Sequence, residues 1–321
     1  MSIGINNFST PQLRKVHSGK VRESFQLSEN RRLIIATDRI SAFDQVLHTP
    51  VSGKGAVLSS IANYWFDSTR HIVSNHFISS PHPAATVCTE CKPIRVEMIV
   101  RAYITGSAWR SYEKGVRTIS GATFPNGLTK NHLLPKPLVT PTTKDEKDTE
   151  ISPHEIVKTG LCSEDLYKQM EVTALALFEF GSAELEKRGI VLVDTKYEFG
   201  LKNGELILID EIHTPDCSRF WDKQSYDKNP SEPIEFDKEY VRTWLRENTI
   251  NGVMPLSLPE NVITETQRRY LSIHQKITGK DLSQASLDTT SMARALAREG
   301  IIKQGYIAII MGSKGDLEHA I

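Results

Sequence analysis

Residues 189–222 place charged side chains inside what must be a buried sheet, which makes this stretch the first candidate for chemistry. Two apolar runs, 190–193 and 206–209, read as strands, and Lys202-Asn203-Gly204-Glu205 between them reads as a hairpin turn. On the first strand the two-residue period puts Asp194, Lys196 and Glu198 on one face and Thr195, Tyr197 and Phe199 on the other. A lysine between two carboxylates is not what a plain core strand carries. A two-residue Asn-Gly loop would pair Glu198 with Ile209 and leave Asp210 on the opposite face. An odd-length loop or one bulge would bring Glu198 across from Asp210, and this odd register is the expected one. Facing carboxylates repel unless a divalent cation sits between them. Arg219, in the polar loop that follows, suits an anionic substrate group. A surface hairpin laced with salt bridges is the bland alternative.

Three further stretches offer anion-binding chemistry. At 17–25, HSGKVRESF, a glycine precedes an alternating strand with Lys20 and Arg22 on one face, so backbone N–H groups and two cations can meet a polyphosphate. An ordinary basic hairpin would look the same, and the pattern is neither GxGxxG nor a Walker loop. At 52–56, SGKGA, Lys54 flanked by glycines can approach a ligand closely. At 93–112 a strand runs into a helix start, where Ser107 and the preceding Arg101 form a phosphate pocket or, in the plainer reading, Ser107 is simply a helix cap. The polar run 140–150 reads as a solvated loop, with Lys144, Asp145 or Asp148 as candidates to point into a cleft.

The elements that must hold these residues follow from periodicity. An N-terminal antiparallel meander ends at Asp38. A helix over 57–71 carries Leu58, Ile61, Ala62, Trp65 and Phe66 on its core face. Ser152 caps a helix with Pro153 at its first position, and Ser163 starts a long helix that Gly189 ends. Helices at 237–247, 259–278 and 283–298 form a supporting layer with no catalytic cluster. The 321 residues suffice for one large or two ordinary domains, and Lys plus Arg and Asp plus Glu both number 39. That balance argues against a general nucleic-acid or anionic-membrane binder. No apolar run approaches the ~20 residues of a membrane span, and residues 1–12 lack a signal-peptide core, so a cytoplasmic protein is expected. The four cysteines are unevenly placed; Cys88 and Cys91 have the spacing of half a zinc site without a second half, and free thiols are the better reading.

With these pieces in place the chain resembles the phosphoribosylaminoimidazole-succinocarboxamide synthase (SAICAR synthetase) family. The resemblance rests on GKVRE at 19–23, TDRISAFD at 37–44, SGKGAVLSSIANYWF at 52–66, EMIVRAYITGSAW at 97–109, and the hairpin segments DTKYEFG and LIDEIHTPDCSRFWD. It implies an α+β, two-domain fold of antiparallel sheets with helices, related to ATP-grasp and protein-kinase-like architectures, with ATP in the interdomain cleft. The expected division is 1–100 for ATP phosphates, 101–302 for substrate and metal, and 303–321 as a tail.

The implied activity joins L-aspartate to the carboxylate of 5-amino-1-(5-phosphoribosyl)imidazole-4-carboxylate (CAIR) in de novo purine biosynthesis, with ATP and Mg²⁺ as cofactors. By the same resemblance Gly19, Lys20 and Arg22 cover the ATP phosphates, Glu97 and Ile99 border adenine, and Asp148 joins the nucleotide site. Glu198 and Asp210 hold the metal and, with Lys196, form the catalytic group. Lys196, Arg101, Ser107 and Arg219 hold CAIR, Ser218 is a further substrate-binding residue, and Lys54 and Asp216 are candidates for aspartate. Other purine-pathway enzymes are candidate partners; nucleic acid and membrane are not. Many relatives read His-Asp where this chain has Lys147-Asp148, so nothing is assigned to Lys147. Residues 305–317 resemble the first strand and phosphate loop of the pathway's carboxylase, read as a remnant or truncated beginning, with a sheet-joining strand as the alternative. A small-molecule kinase and a catalytically silent nucleotide-binding module are the rival classes.

Overall fold

The computed structural model describes residues 4–145, 148–282 and 287–303. Lys147 and the tail beyond Lys303, including the carboxylase-like segment, lie outside the described residues. The fold is mixed α and β with antiparallel pairing throughout both main sheets, as expected. Two compact units emerge, and they interleave along the chain.

The first unit comprises the described residues of Met1–Asn63, Phe77–Glu90 and Lys238–Ile321. Its five-stranded sheet runs in the order Arg14–Ser18, Arg22–Ser28, Arg31–Ala36, Ala85–Thr89, Phe77–His82. Phe8, Phe25, Leu33 and Ile35 pack there with Met292, Ala293 and Leu296 of the helix Thr289–Arg298. Ile40, Leu47 and Val51 pack with Val241, Leu245 and Val262 of two further C-terminal helices. The C-terminal helices therefore complete the N-terminal unit rather than the 101–302 half assigned to them from the sequence. The cause is long-range: the helix Thr289–Arg298 covers the apolar face of that sheet, and the other two cover the segment that carries Ile40, Leu47 and Val51.

The second unit comprises Tyr64–His76 and Cys91–Asp237. The strand Ile190–Lys202 lies at the heart of a six-stranded sheet, between Lys92–Tyr103 on one side and Glu205–Ile209 with Ser218–Asp222 on the other. The helix Glu164–Glu186 packs against it, capped by Ser163, whose Oγ accepts from Leu166 N. Ser152 and Glu155 form a reciprocal cap on the helix Pro153–Lys158.

The hairpin register is the even one. Glu198 pairs with Ile209 and Lys202 with Glu205, correcting the expected odd register. Asn203 and Gly204 both take positive φ, 53° and 86°, the geometry of a two-residue I′ turn, so no bulge is needed. Asp210 then leaves the ladder with φ 67°, a left-handed conformation that Asp tolerates. With that torsion, strand alternation no longer dictates which face its side chain takes.

Candidate active site

One face of Ile190–Lys202 carries Asp194, Lys196 and Glu198, as the alternation predicted, and each meets charge from the neighbouring strand Lys92–Tyr103. Asp194 lies opposite Arg101 and Glu198 opposite Glu97. Arg101 Nη1 donates to Asp194 Oδ2 at 3.1 Å, and its Nε to Thr140 Oγ1 at 2.9 Å. Arg219 Nη1, from the strand Ser218–Asp222, donates to the same Oδ2 at 2.5 Å. Burial pushes the Arg101 pKa down, Asp194 pulls it back up and Arg219 pushes it down again, so two mutually repelling guanidiniums share one buried carboxylate.

The same guanidinium of Arg219 lies over the start of the helix Gly106–Glu113. A Cβ at Gly106, where φ is +56°, would sit 2.3 Å from Arg219 Nη2. Ser107 is exposed in the first turn of that helix, and the N-cap Thr105 makes no side-chain cap bond. Arg219 thus lies against the N-terminus of this helix, two features that each favour an anion.

Lys196 Nζ donates to Glu97 Oε1 at 2.5 Å and to Glu198 Oε1 at 2.9 Å. Desolvation lowers its pKa, but Glu97, Asp210 and Glu211 together outweigh that and the net shift is upward, so the lysine stays an ammonium. Asp210, just past the ladder, is among the carboxylates whose charge acts on Lys196. Lys144 forms an ion pair with the other oxygen of Glu198. Glu198 therefore draws two cations although it is almost fully buried.

Other assignments fare differently. Glu97, taken as an adenine neighbour, is bound to Lys196 and accepts from Thr142 Oγ1 at 3.2 Å. Ile99 pairs with Lys196 across the ladder. Ser218 does not join the arginines: it pairs with Thr195, and its hydroxyl lies 2.7 Å from Thr195 Oγ1 on the opposite face, because alternation separates it from Arg219. Asp216 N donates to Thr214 Oγ1 at 3.3 Å within the loop after the hairpin. Asp148 is exposed with φ 46°. Sequence reasoning gave no role to Asp194 or Thr140; Asp194's place on the Lys196 face was the available signal.

In the first unit Gly19, Lys20 and Arg22 form a tight turn closed by Gly19 N to Arg22 O at 2.8 Å. Lys20 Nζ pairs with Asp44 Oδ1 at 2.5 Å, both side chains being exposed. Lys54, expected to approach a ligand, is 1% exposed, with Nζ 5.9 Å from the Tyr270 ring centroid. Its neighbour Gly55 serves packing instead, since a Cβ there would lie 2.2 Å from Ala36 O. The four cysteines, all among the described residues, are thiols outside any disulfide, and among the described residues no three His, Cys, Asp or Glu side chains are placed to hold a metal.

The family model described as SAICAR synthetase matches residues 15–256. The chain belongs to the SAICAR synthetase family. A phosphoribosylaminoimidazole-succinocarboxamide synthase of Bacteroides thetaiotaomicron is 40% identical over 301 residues, covering 91% of this chain and 95% of that relative. A putative second such synthase of Agrobacterium fabrum is 40% identical over 297 residues, 88% of this chain and 93% of its own length. Among solved structures, a SAICAR synthase from Saccharomyces cerevisiae complexed with SAICAR superposes with TM-score 0.78 at 32% identity, over 87% of this chain and all of that one. A SAICAR synthetase in complex with ADP gives 0.65 at 25% identity, over 83% of this chain and 98% of that chain. The charged face of Ile190–Lys202 and the Gly19–Arg22 turn both fall inside the matched span, so the SAICAR synthetase match and the site geometry concern the same residues.

Proposed function

We propose that the chain joins L-aspartate to the carboxylate of CAIR on the Lys196 face, by way of an acyl phosphate made from ATP. Membership of the SAICAR synthetase family makes it an ATP-dependent ligase that forms SAICAR in purine biosynthesis. The observation that carries the finer reading is the Arg101–Asp194–Arg219 array beside the Gly106–Glu113 helix start, on the face that also bears Lys196 and Glu198. Relatives solved with SAICAR and with ADP add support for a substrate of that shape and for a nucleotide.

A carboxylate is a poor electrophile, so the terminal phosphoryl group of ATP is transferred to it, ADP leaves, and the neutral aspartate amine attacks the carbonyl carbon while phosphate departs. Arg219, Ser107 and the helix N-terminus hold the CAIR phosphate. Arg101 is the buried partner that keeps Asp194, and through it Arg219, in place. Lys196 offsets the charge of the reacting carboxylate and phosphoryl oxygens. Gly19, Lys20 and Arg22 receive the ATP phosphates.

The donor chemistry suits Mg²⁺. Glu198 and Asp210 are hard oxygen donors, Glu198 already gathers two ammonium groups, and Mg²⁺ commonly binds one or two carboxylates plus substrate phosphates. Glu198 and Asp210 would hold it, and when bound it neutralises phosphate oxygens. No helix is long and apolar enough to cross a membrane among the described residues. The proposal takes the cytoplasm as its setting, since all three substrates are soluble metabolites.

The test is ADP release from ATP and Mg²⁺ with CAIR present and aspartate added or withheld, in the wild type and in Glu198→Gln. Aspartate-dependent release that falls at least ~100-fold in the variant is expected, the scale of losing one electrostatic stabiliser. Release indifferent to aspartate would replace the ligase reading with a kinase or ATPase.

A further inference from the structure

The turn assigned to the ATP phosphates is held from behind by a residue outside the substrate set. Arg39 Nη2 donates to Gly19 O at 3.1 Å and its Nε to Lys20 O at 3.1 Å. The next carbonyl, Val21 O, accepts from Thr37 N at 2.9 Å and Thr37 Oγ1 at 2.8 Å. Three consecutive carbonyls of the turn are therefore bonded to one short segment, Thr37 to Arg39. Arg39 is itself anchored: its Nη1 donates to Glu23 Oε1 at 2.9 Å and to Asn6 O at 3.4 Å. Glu23 is 1% exposed at its side chain and also binds Lys15 Nζ at 2.6 Å and Phe8 N at 3.3 Å.

Peptide geometry gives this arrangement a consequence. In a planar trans peptide the C=O of one residue and the N–H of the next point in opposite directions. With Gly19 O and Lys20 O directed at Arg39, the N–H groups of Lys20 and Val21 are directed away from it, side by side. Adjacent N–H groups facing one way form an anion-binding concavity. A lysine at position 39 could satisfy Glu23 but has no planar fork to reach two carbonyls at once.

We propose that Arg39, braced by Glu23, is a positioning residue for nucleotide phosphate binding: it sets the Lys20 and Val21 amides toward the polyphosphate. This rests on the reading of the Gly19–Arg22 turn as the phosphate turn.

The experiment is steady-state kinetics on the full chain for wild type, Arg39→Lys and Lys20→Ala, varying ATP, CAIR and aspartate separately, with melting temperatures in parallel. Arg39→Lys should raise the KM for ATP about tenfold, equivalent to ~1.4 kcal/mol, with kcat and the KM for CAIR within about twofold of wild type. A rise shared by all three substrates would mean a general structural role and overturn the proposal. If Lys20→Ala raises the KM for ATP and Arg39→Lys does not, positioning by Arg39 is wrong while the phosphate turn stands. If Lys20→Ala leaves it unchanged, the turn is not the phosphate site and the proposal falls with it. Should Arg39→Lys fail to fold, Glu23→Gln is measured instead: a rise confined to ATP supports the brace, and an even change or none refutes it.

Discussion

Replacing Asp194 by Asn tests whether one buried carboxylate organises the substrate arginines. Its Oδ2 accepts from Arg101 Nη1 at 3.1 Å and Arg219 Nη1 at 2.5 Å, and all three side chains are largely buried. Removing one partner of a buried ion pair costs about 3–5 kcal/mol, because the remaining charge is left uncompensated. Here two guanidiniums that already repel each other would remain. The asparagine oxygen can still accept one bond and Glu150 still attracts Arg101, which places the expected loss near the lower end, about 3 kcal/mol. In a unit of this size that corresponds to roughly 6–12 °C of melting temperature. Arg219 would also lose the bond that holds it over Gly106, so the KM for CAIR should rise about tenfold, a loss of ~1.4 kcal/mol, while that for ATP stays unchanged. Chemical denaturation and initial rates with each substrate varied would measure both effects. Undiminished stability, or a loss spread equally over ATP and CAIR, would refute the shared-carboxylate reasoning.

Gly106→Ala should act on the same array from the other side. A Cβ 2.3 Å from Arg219 Nη2, at a φ of +56°, displaces the guanidinium, so CAIR binding weakens and stability falls by about 1 kcal/mol or more, read by rates and melting. The pH dependence of stability should show the buried His213, which burial pushes down to about 3 and whose Nε2 lies 2.6 Å from Tyr197 Oη. An unfolded histidine titrates near about 6.5, so below that pH the unfolded state takes up a proton the folded state refuses, and stability drops by about 1.4 kcal/mol per unit as pH falls toward the folded value. Denaturation at pH 7, 6 and 5 should give a shallower slope in His213→Gln than in wild type; equal slopes would exclude His213 as the source.

What could be read from the sequence was what lies along a single strand. Alternation alone set Asp194, Lys196 and Glu198 on one face, and the caps Ser152 and Ser163 announced their helices. What crosses between strands was not readable. Nothing local says that Glu97 stands opposite Glu198, so the compensating cation between two carboxylates is a lysine already present in the chain, and no facing Glu198–Asp210 pair is needed to explain it. The Asn203-Gly204 signal specifies the two-residue turn that is observed; the odd register follows only from requiring Asp210 directly across from Glu198. Asp210 takes a left-handed torsion just past the ladder, a degree of freedom that a register argument leaves out. Lys54 shows the converse. Flanking glycines suggested an open loop, but Gly55 is required by the Ala36 carbonyl against it, a contact made by residues 19 positions apart. Glycine therefore marks close approach of some kind, and only the fold decides whether the approaching group is a ligand or the chain's own backbone. The same distinction separates Arg39 from the residues of the phosphate turn: its guanidinium is bonded to the backbone of that turn, so it can influence a ligand only through the loop it holds.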